Sequence, residues 1–175
     1  MADLKETVYD HMSGFESLVA KIPGYKGYKE KEMRREADAL LRQHGAAQYG
    51  EQLRRAEDVA SQMLTGLGMA QLAELGKGNT RLQTLIDKIK TAGQGYAGLF
   101  DTIKVKEDEL DKLYEFDNQM MANVEGVAAA IDGIQAALDG GDANAIAPAV
   151  RGYVKAVTDA SAHFDQRRDV LTGLG

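Results

Sequence analysis

The sequence predicts an all-α protein, an elongated up-and-down antiparallel helical bundle of four long helices preceded by a short N-terminal one. Three observations predict it. Apolar residues recur at alternating spacings of three and four, which marks a helical seam. No segment sustains the alternation of a strand. The links between periodic segments are short, so sequential helices are expected to be antiparallel neighbours. A chain of 175 residues has the size of one domain and can bury a substantial core. Residues 1–175 are therefore read as a single helical-bundle domain.

The first seam is Leu4, Val8, His11, Phe15, Leu18 and Ile22, giving a helix over about residues 3–21. The second runs Met33, Ala37, Leu40, His44 and Ala47, slips in phase within HGAAQYG, and resumes as Tyr49, Leu53, Ala56, Ala60, Met63 and Leu67. It predicts a helix over about 28–65 with a kink near 45–50. Leu72, Leu75, Asn79, Leu82, Ile86, Ile89, Gly93, Tyr96, Phe100 and Ile103 predict a third helix over about 69–103. A fourth, about 107–139, follows from Leu110, Leu113, Asp117, Met120, Val124, Val127, Ile131, Ile134 and Leu138. The acidic run KEDELDKLYEFD opens it, where carboxylates favour the helix dipole. The fifth, about 143–172, is carried by Ile146, Val150, Tyr153, Val157, Ala160, Phe164, Arg167 and Leu171. GGDANAIAP supplies the turn before it, and Pro148 is expected in its first turn or as the cause of a late start.

Between the first two helices stands IPGYKGYKEKE, residues 22–32. Pro23-Gly24 and Gly27 make it an interhelical corner, with Tyr25 and Tyr28 covering the end of the core. The alternative is an anion site, in which free amides at a helix start act with Lys26, Lys29 and Lys31. The spacing is not that of a phosphate loop. LTGLG occurs at 64–68 and at 171–175, a pattern of helix stops on glycine. Arg34, Arg35 and Asp38 recur as Arg54, Arg55 and Asp58, and with Glu30 and Glu51 read as ion pairs on a solvated face. Glycines at 76, 78, 93, 95, 98, 126, 133 and 152 fall inside expected helices, where each costs roughly 0.5–1 kcal/mol against alanine.

Each seam carries a polar interruption: His11, His44, Asn79, Asp117 and Arg167. A seam position is costly for a polar group unless it is paired. Measured at about 1.5 Å per residue from the end holding Ile22, Tyr28 and Ile103, His11 and Asp117 lie about 17 Å down and Arg167 roughly 14 Å. Asn79 and Tyr153 share a level roughly 35 Å down. The first level reads either as a buried layer that fixes register or as a small ligand site. In the second reading Asp117 accepts hydrogen bonds, Arg167 holds an anionic group, and His11 donates a proton or binds the ligand.

No metal or cofactor is expected: the chain has neither the Glu-x-x-His pairs of di-iron bundles nor an H-E-x-x-H motif. A haem held by His163 and Met12 is outweighed by ordinary core or surface roles for both. No nucleophile elbow is present, so catalysis is not expected. The net charge of −6 argues against nucleic acid as a partner. The absence of cysteine, of a leader-like apolar run and of a spanning segment points to a cytoplasmic protein. The first helix has an amphipathic stripe, but its acidic polar face suits an anionic membrane poorly. The leading expectation is a non-enzymatic scaffold or protein-interaction module, self-association included. A bundle binding a small molecule or ion through His11, Asp117 and Arg167 is the alternative, and peripheral membrane association the third.

Overall fold

The computed structural model describes residues 14–174, and among these every regular element is helical. Four long helices form the bundle: α2 (Arg34–Met63), α3 (Leu72–Thr91), α5 (Glu107–Asp139) and α6 (Ala143–Asp165). Three short ones join them: α1 (Gly14–Lys21), α4 (Gly93–Tyr96) and α7 (Arg167–Gly173). The predicted first helix is seen only as α1, and residues 1–13, His11 among them, lie outside the described residues.

Around the bundle the long helices follow the order α2, α3, α6, α5, with α1 docked on α5. Cross-helix hydrogen bonds fix the directions. Tyr49 bonds the Met120 carbonyl and Gln62 bonds Gln135, so α2 and α5 run parallel. Tyr153 donates to Asn79, Arg81 to Thr158 and Lys88 to Asp165, so α3 and α6 run parallel as well. Sequential long helices alternate in direction, but α3 and α5 face each other across the diagonal instead of packing side by side. The link between them is long. Residues 92–106 cross the end of the bundle to reach the far corner.

That crossover explains most of the boundary corrections. The third helix stops at Thr91 and not near 103, because GQGYAG and the turns after Tyr96 belong to the crossing chain. The second helix starts at Arg34 and not at 28, because residues 22–33 form a strap that returns along α1. The second helix is unbroken through 45–50, and α2 is helical throughout. A helix packed against both α3 and α5 shows two apolar stripes, and passing from one to the other looks like a slip of phase. The last helix is divided at Gln166. Pro148 neither delays α6 nor sits in its first turn, since Asp142 caps the Asn144 and Ala145 amides and starts the helix at Ala143. Of the two LTGLG stretches, the first ends on Gly68 at φ 98°, as a glycine stop requires, whereas α7 runs through Gly173 in the second.

One intrahelical glycine has a clear packing reason. A Cβ on Gly78 would come within 2.6 Å of the Tyr153 ring, so glycine lets α3 and α6 close up beside the Tyr153–Asn79 bond at 2.9 Å. A Cβ on Gly76, Gly126, Gly133 or Gly152 would meet nothing within 4 Å, so the fold does not require glycine there.

Candidate functional site: a closed polar layer beneath the crossover

The site is built on Arg167, the first residue of α7, where the break at Gln166 swings its side chain into the bundle. Its Nε donates to Asp117 Oδ1 at 2.9 Å and its Nη2 to Asp117 Oδ2 at 3.2 Å. Nη1 donates to Asp38 Oδ1 at 2.6 Å, and Nη2 also reaches the Tyr28 hydroxyl at 2.9 Å. Tyr28 donates that hydroxyl to Asp117 Oδ2 at 2.8 Å. Asp38 accepts a second guanidinium, Arg42 Nε, at 2.8 Å. The Arg167 guanidinium also lies 5.2 Å from the centre of the Tyr96 ring. Four elements are thereby tied at one level: the strap, α2, α5 and α7.

Burial and charge decide what this cluster can do. The side chains of Arg167 and Asp117 are 0% exposed and that of Asp38 is 3% exposed. Burial is the largest influence on Arg167 and opposes its charge. Asp117, the Tyr28 oxygen and Asp38 together outweigh it and hold the guanidinium protonated well above its ordinary range. For Tyr28, burial first and then Asp117 push the hydroxyl well above its usual value, so it remains a donor. Asp117 accepts three hydrogen bonds and Asp38 two. Neither carboxylate keeps an open face for a ligand or a reacting proton. Sliding any one element by a turn would strand charges in the core, which is how such a layer fixes register.

A second arginine holds the crossover above this layer. Arg34 is buried and donates to the carbonyls of Tyr28 at 2.8 Å, Phe100 at 3.1 Å and Ile103 at 3.0 Å. Arg35 donates to the Ala97 carbonyl and pairs with Asp101 on the outside. Irregular chain across a bundle end exposes carbonyls that need donors, and these arginines supply them. The Tyr28 ring is sandwiched between Phe100 and Tyr114, with centroids 5.7 and 5.6 Å away. The strap must approach closely to reach this position. Gly27 has φ 75°, and a Cβ there would strike Phe15 and the Tyr114 hydroxyl.

Of the sequence-predicted ligand residues, Asp117 and Arg167 meet directly, and His11 lies outside the described residues. The third and fourth members are Tyr28 and Asp38. Tyr28 was expected to do no more than cover the core, and Asp38, with Arg34, to lie on a solvated face. Their signal was the interleaving of Arg34 and Asp38 with Ala37 and Leu41 on one helical stripe. Lys26 and Lys29 share a cleft of about 390 Å³ with Glu30, Glu107 and Asp111, and Lys31 is exposed in a 3-10 turn. His163 stacks on Phe116 at 4.0 Å, its Nε2 3.1 Å from the Phe116 carbonyl. His44 is half-buried in a cleft with Lys21, Met121 and Glu125, and burial lowers its pKa. Among the described residues no cluster of His, Asp or Glu could hold a metal ion, and no helix is long and apolar enough to cross a membrane. Compared with known proteins, the chain matches no family, no curated protein and no solved structure.

Proposed function

We propose that this protein is a non-enzymatic interaction module that self-associates through the corner between α2 and α3. The observation that carries this reading is the apolar knob formed there. Leu64, Leu67 and Met69 are 58, 45 and 61% exposed within six residues of one another. Large apolar side chains exposed close together in sequence at one corner suit a protein interface. The second LTGLG supports the reading, because there the same leucines, Leu171 and Leu174, are buried. The polar layer adds support from the other side, since its groups are consumed within the fold. A second copy is the simplest occupant, as a two-fold axis would set each knob against its equivalent.

Light scattering coupled to size exclusion tests this. The protein is expected at twice its chain mass at micromolar concentration. The double variant Leu64→Ser, Leu67→Ser is expected at the chain mass with unchanged helicity. A monomer at every concentration, or an oligomer indifferent to these substitutions, would sink the proposal.

A further inference from the structure

We infer that self-association of this protein is gated by ionic strength: the end of the bundle that carries the apolar knob also carries the chain's excess negative charge, so two copies repel until salt screens it. This regulation rests on self-association through the α2–α3 corner. Because α2 and α5 run parallel and α3 and α6 run against them, one end of the bundle gathers the last turns of α2 and α5 and the first turns of α3 and α6. At that end residues 59–73, with Leu64, Leu67 and Met69 exposed among them, hold no charged side chain. Around them, residues 56–76 and 126–150 hold six carboxylates, Glu57, Asp58, Glu74, Asp132, Asp139 and Asp142, and no lysine, arginine or histidine. That equals the net charge of −6 of the whole chain.

Packing sets these carboxylates about the knob. Gln62, just before Leu64, bonds Gln135, and Gln135 donates to Asp139 at 2.8 Å. A Cβ on Gly68 would lie 3.3 Å from Ile146, one turn beyond Asp142. Glu57 and Asp58 are exposed, one to two turns back along α2. Lys77 neutralises Glu74, Arg55 neutralises Asp132, and the start of α6 offsets part of the charge on Asp142. Among the described residues no cation holds Glu57, Asp58 or Asp139. Arg54, Arg81 and Arg151, which no carboxylate holds, stand about 12–15 Å back from the helix ends. Identical surfaces related by a two-fold axis pair a rim carboxylate only with a cation of that same surface. Here each copy meets carboxylates instead. The screening length falls from about 20 Å at 20 mM salt to about 4 Å at 500 mM, so the repulsion is felt across the interface in the first case and not in the second.

Sedimentation equilibrium of the full chain in 20 mM and in 500 mM sodium chloride tests this, beside the triple variant Asp58→Asn, Asp139→Asn, Asp142→Asn. Asparagine caps a helix as well as aspartate, and the other two positions are exposed, so the variant keeps the fold. For the natural chain the dimer dissociation constant is expected to fall about fivefold or more from low to high salt. The triple variant is expected to dimerise at low salt about as tightly as the natural chain does at high salt, with less than about a twofold salt effect left. That comparison separates screened repulsion from a general salting-out of apolar surface, which would act on both proteins alike. A dimer that loosens with salt, a dissociation constant indifferent to salt, or a triple variant that keeps the full salt effect would overturn the inference and leave self-association standing. Monomer for both proteins at both salt concentrations would overturn self-association through this corner, and the gating with it.

Discussion

Replacing Asp117 with alanine removes the acceptor of three hydrogen bonds, two from Arg167 and one from Tyr28. Arg167 then keeps one carboxylate, Asp38, which it already shares with Arg42. Breaking a fully buried pair from one side costs about 3–5 kcal/mol, because the remaining charge cannot reach water. For a chain of this length that lowers the melting temperature by about 6–20 °C. Asp117→Leu combined with Arg167→Met removes both charges and leaves Asp38 paired with Arg42. The double variant is therefore expected to be more stable than the sum of its single variants predicts, by at least about 2 kcal/mol. The chain has no tryptophan, so urea unfolding followed by far-ultraviolet circular dichroism is the suitable assay. An Asp117→Ala cost below about 1 kcal/mol, or strict additivity, would mean that the layer does not hold the four elements in register.

Two further outcomes follow from particular residues. Burial raises the hydroxyl pKa of Tyr25, Tyr28, Tyr49 and Tyr153 far above the ordinary value of 10.0. The folded chain keeps protons that the unfolded chain releases, so stability is full below pH 10 and falls as pH rises above it. Each such tyrosine contributes about 1.4 kcal/mol of loss per pH unit. Absorbance of ionised tyrosine should rise together with the loss of helicity, and early ionisation of all tyrosines in a still-folded chain would contradict this. Glycines should separate by their surroundings. Gly133→Ala, in open space, is expected to stabilise by about 0.5–1 kcal/mol, whereas Gly78→Ala, against the Tyr153 ring, should destabilise by about 1–3 kcal/mol. Thermal melts of the two variants shifting in the same direction would show that helix packing at these positions has been misjudged.

Much of this fold was legible from period alone. The seams of α3, α5 and α6 located those helices, and simple rise per residue put Asp117 level with Arg167 and Asn79 level with Tyr153. What period could not give was the path of the chain between seams. Residues 92–103 keep apolar spacing, with Tyr96, Phe100 and Ile103 all buried, but they form the one-turn helix α4 and then turns that cross the bundle end. Spacing reports which residues face the core, not whether the backbone between them is helical. The same limit hid the roles of Arg34 and Asp38. Each has a solvated partner at the right helical distance in sequence, and only the crossover's carbonyls and the break at Gln166 turn them inward. Tyr28 was placed correctly at the core's end, but its bond to Asp117 depends on the strap folding back through Gly27.

On the proposed reading, the polar layer serves the fold and the α2–α3 corner makes the interface. Native mass spectrometry of untagged protein, purified gently from its own host, tests both halves at once. The expected result is a dimer of bare chains that dissociates on Leu64→Ser, Leu67→Ser substitution. A monomer carrying extra mass that is lost with Asp117→Ala would contradict it and make the layer a binding site.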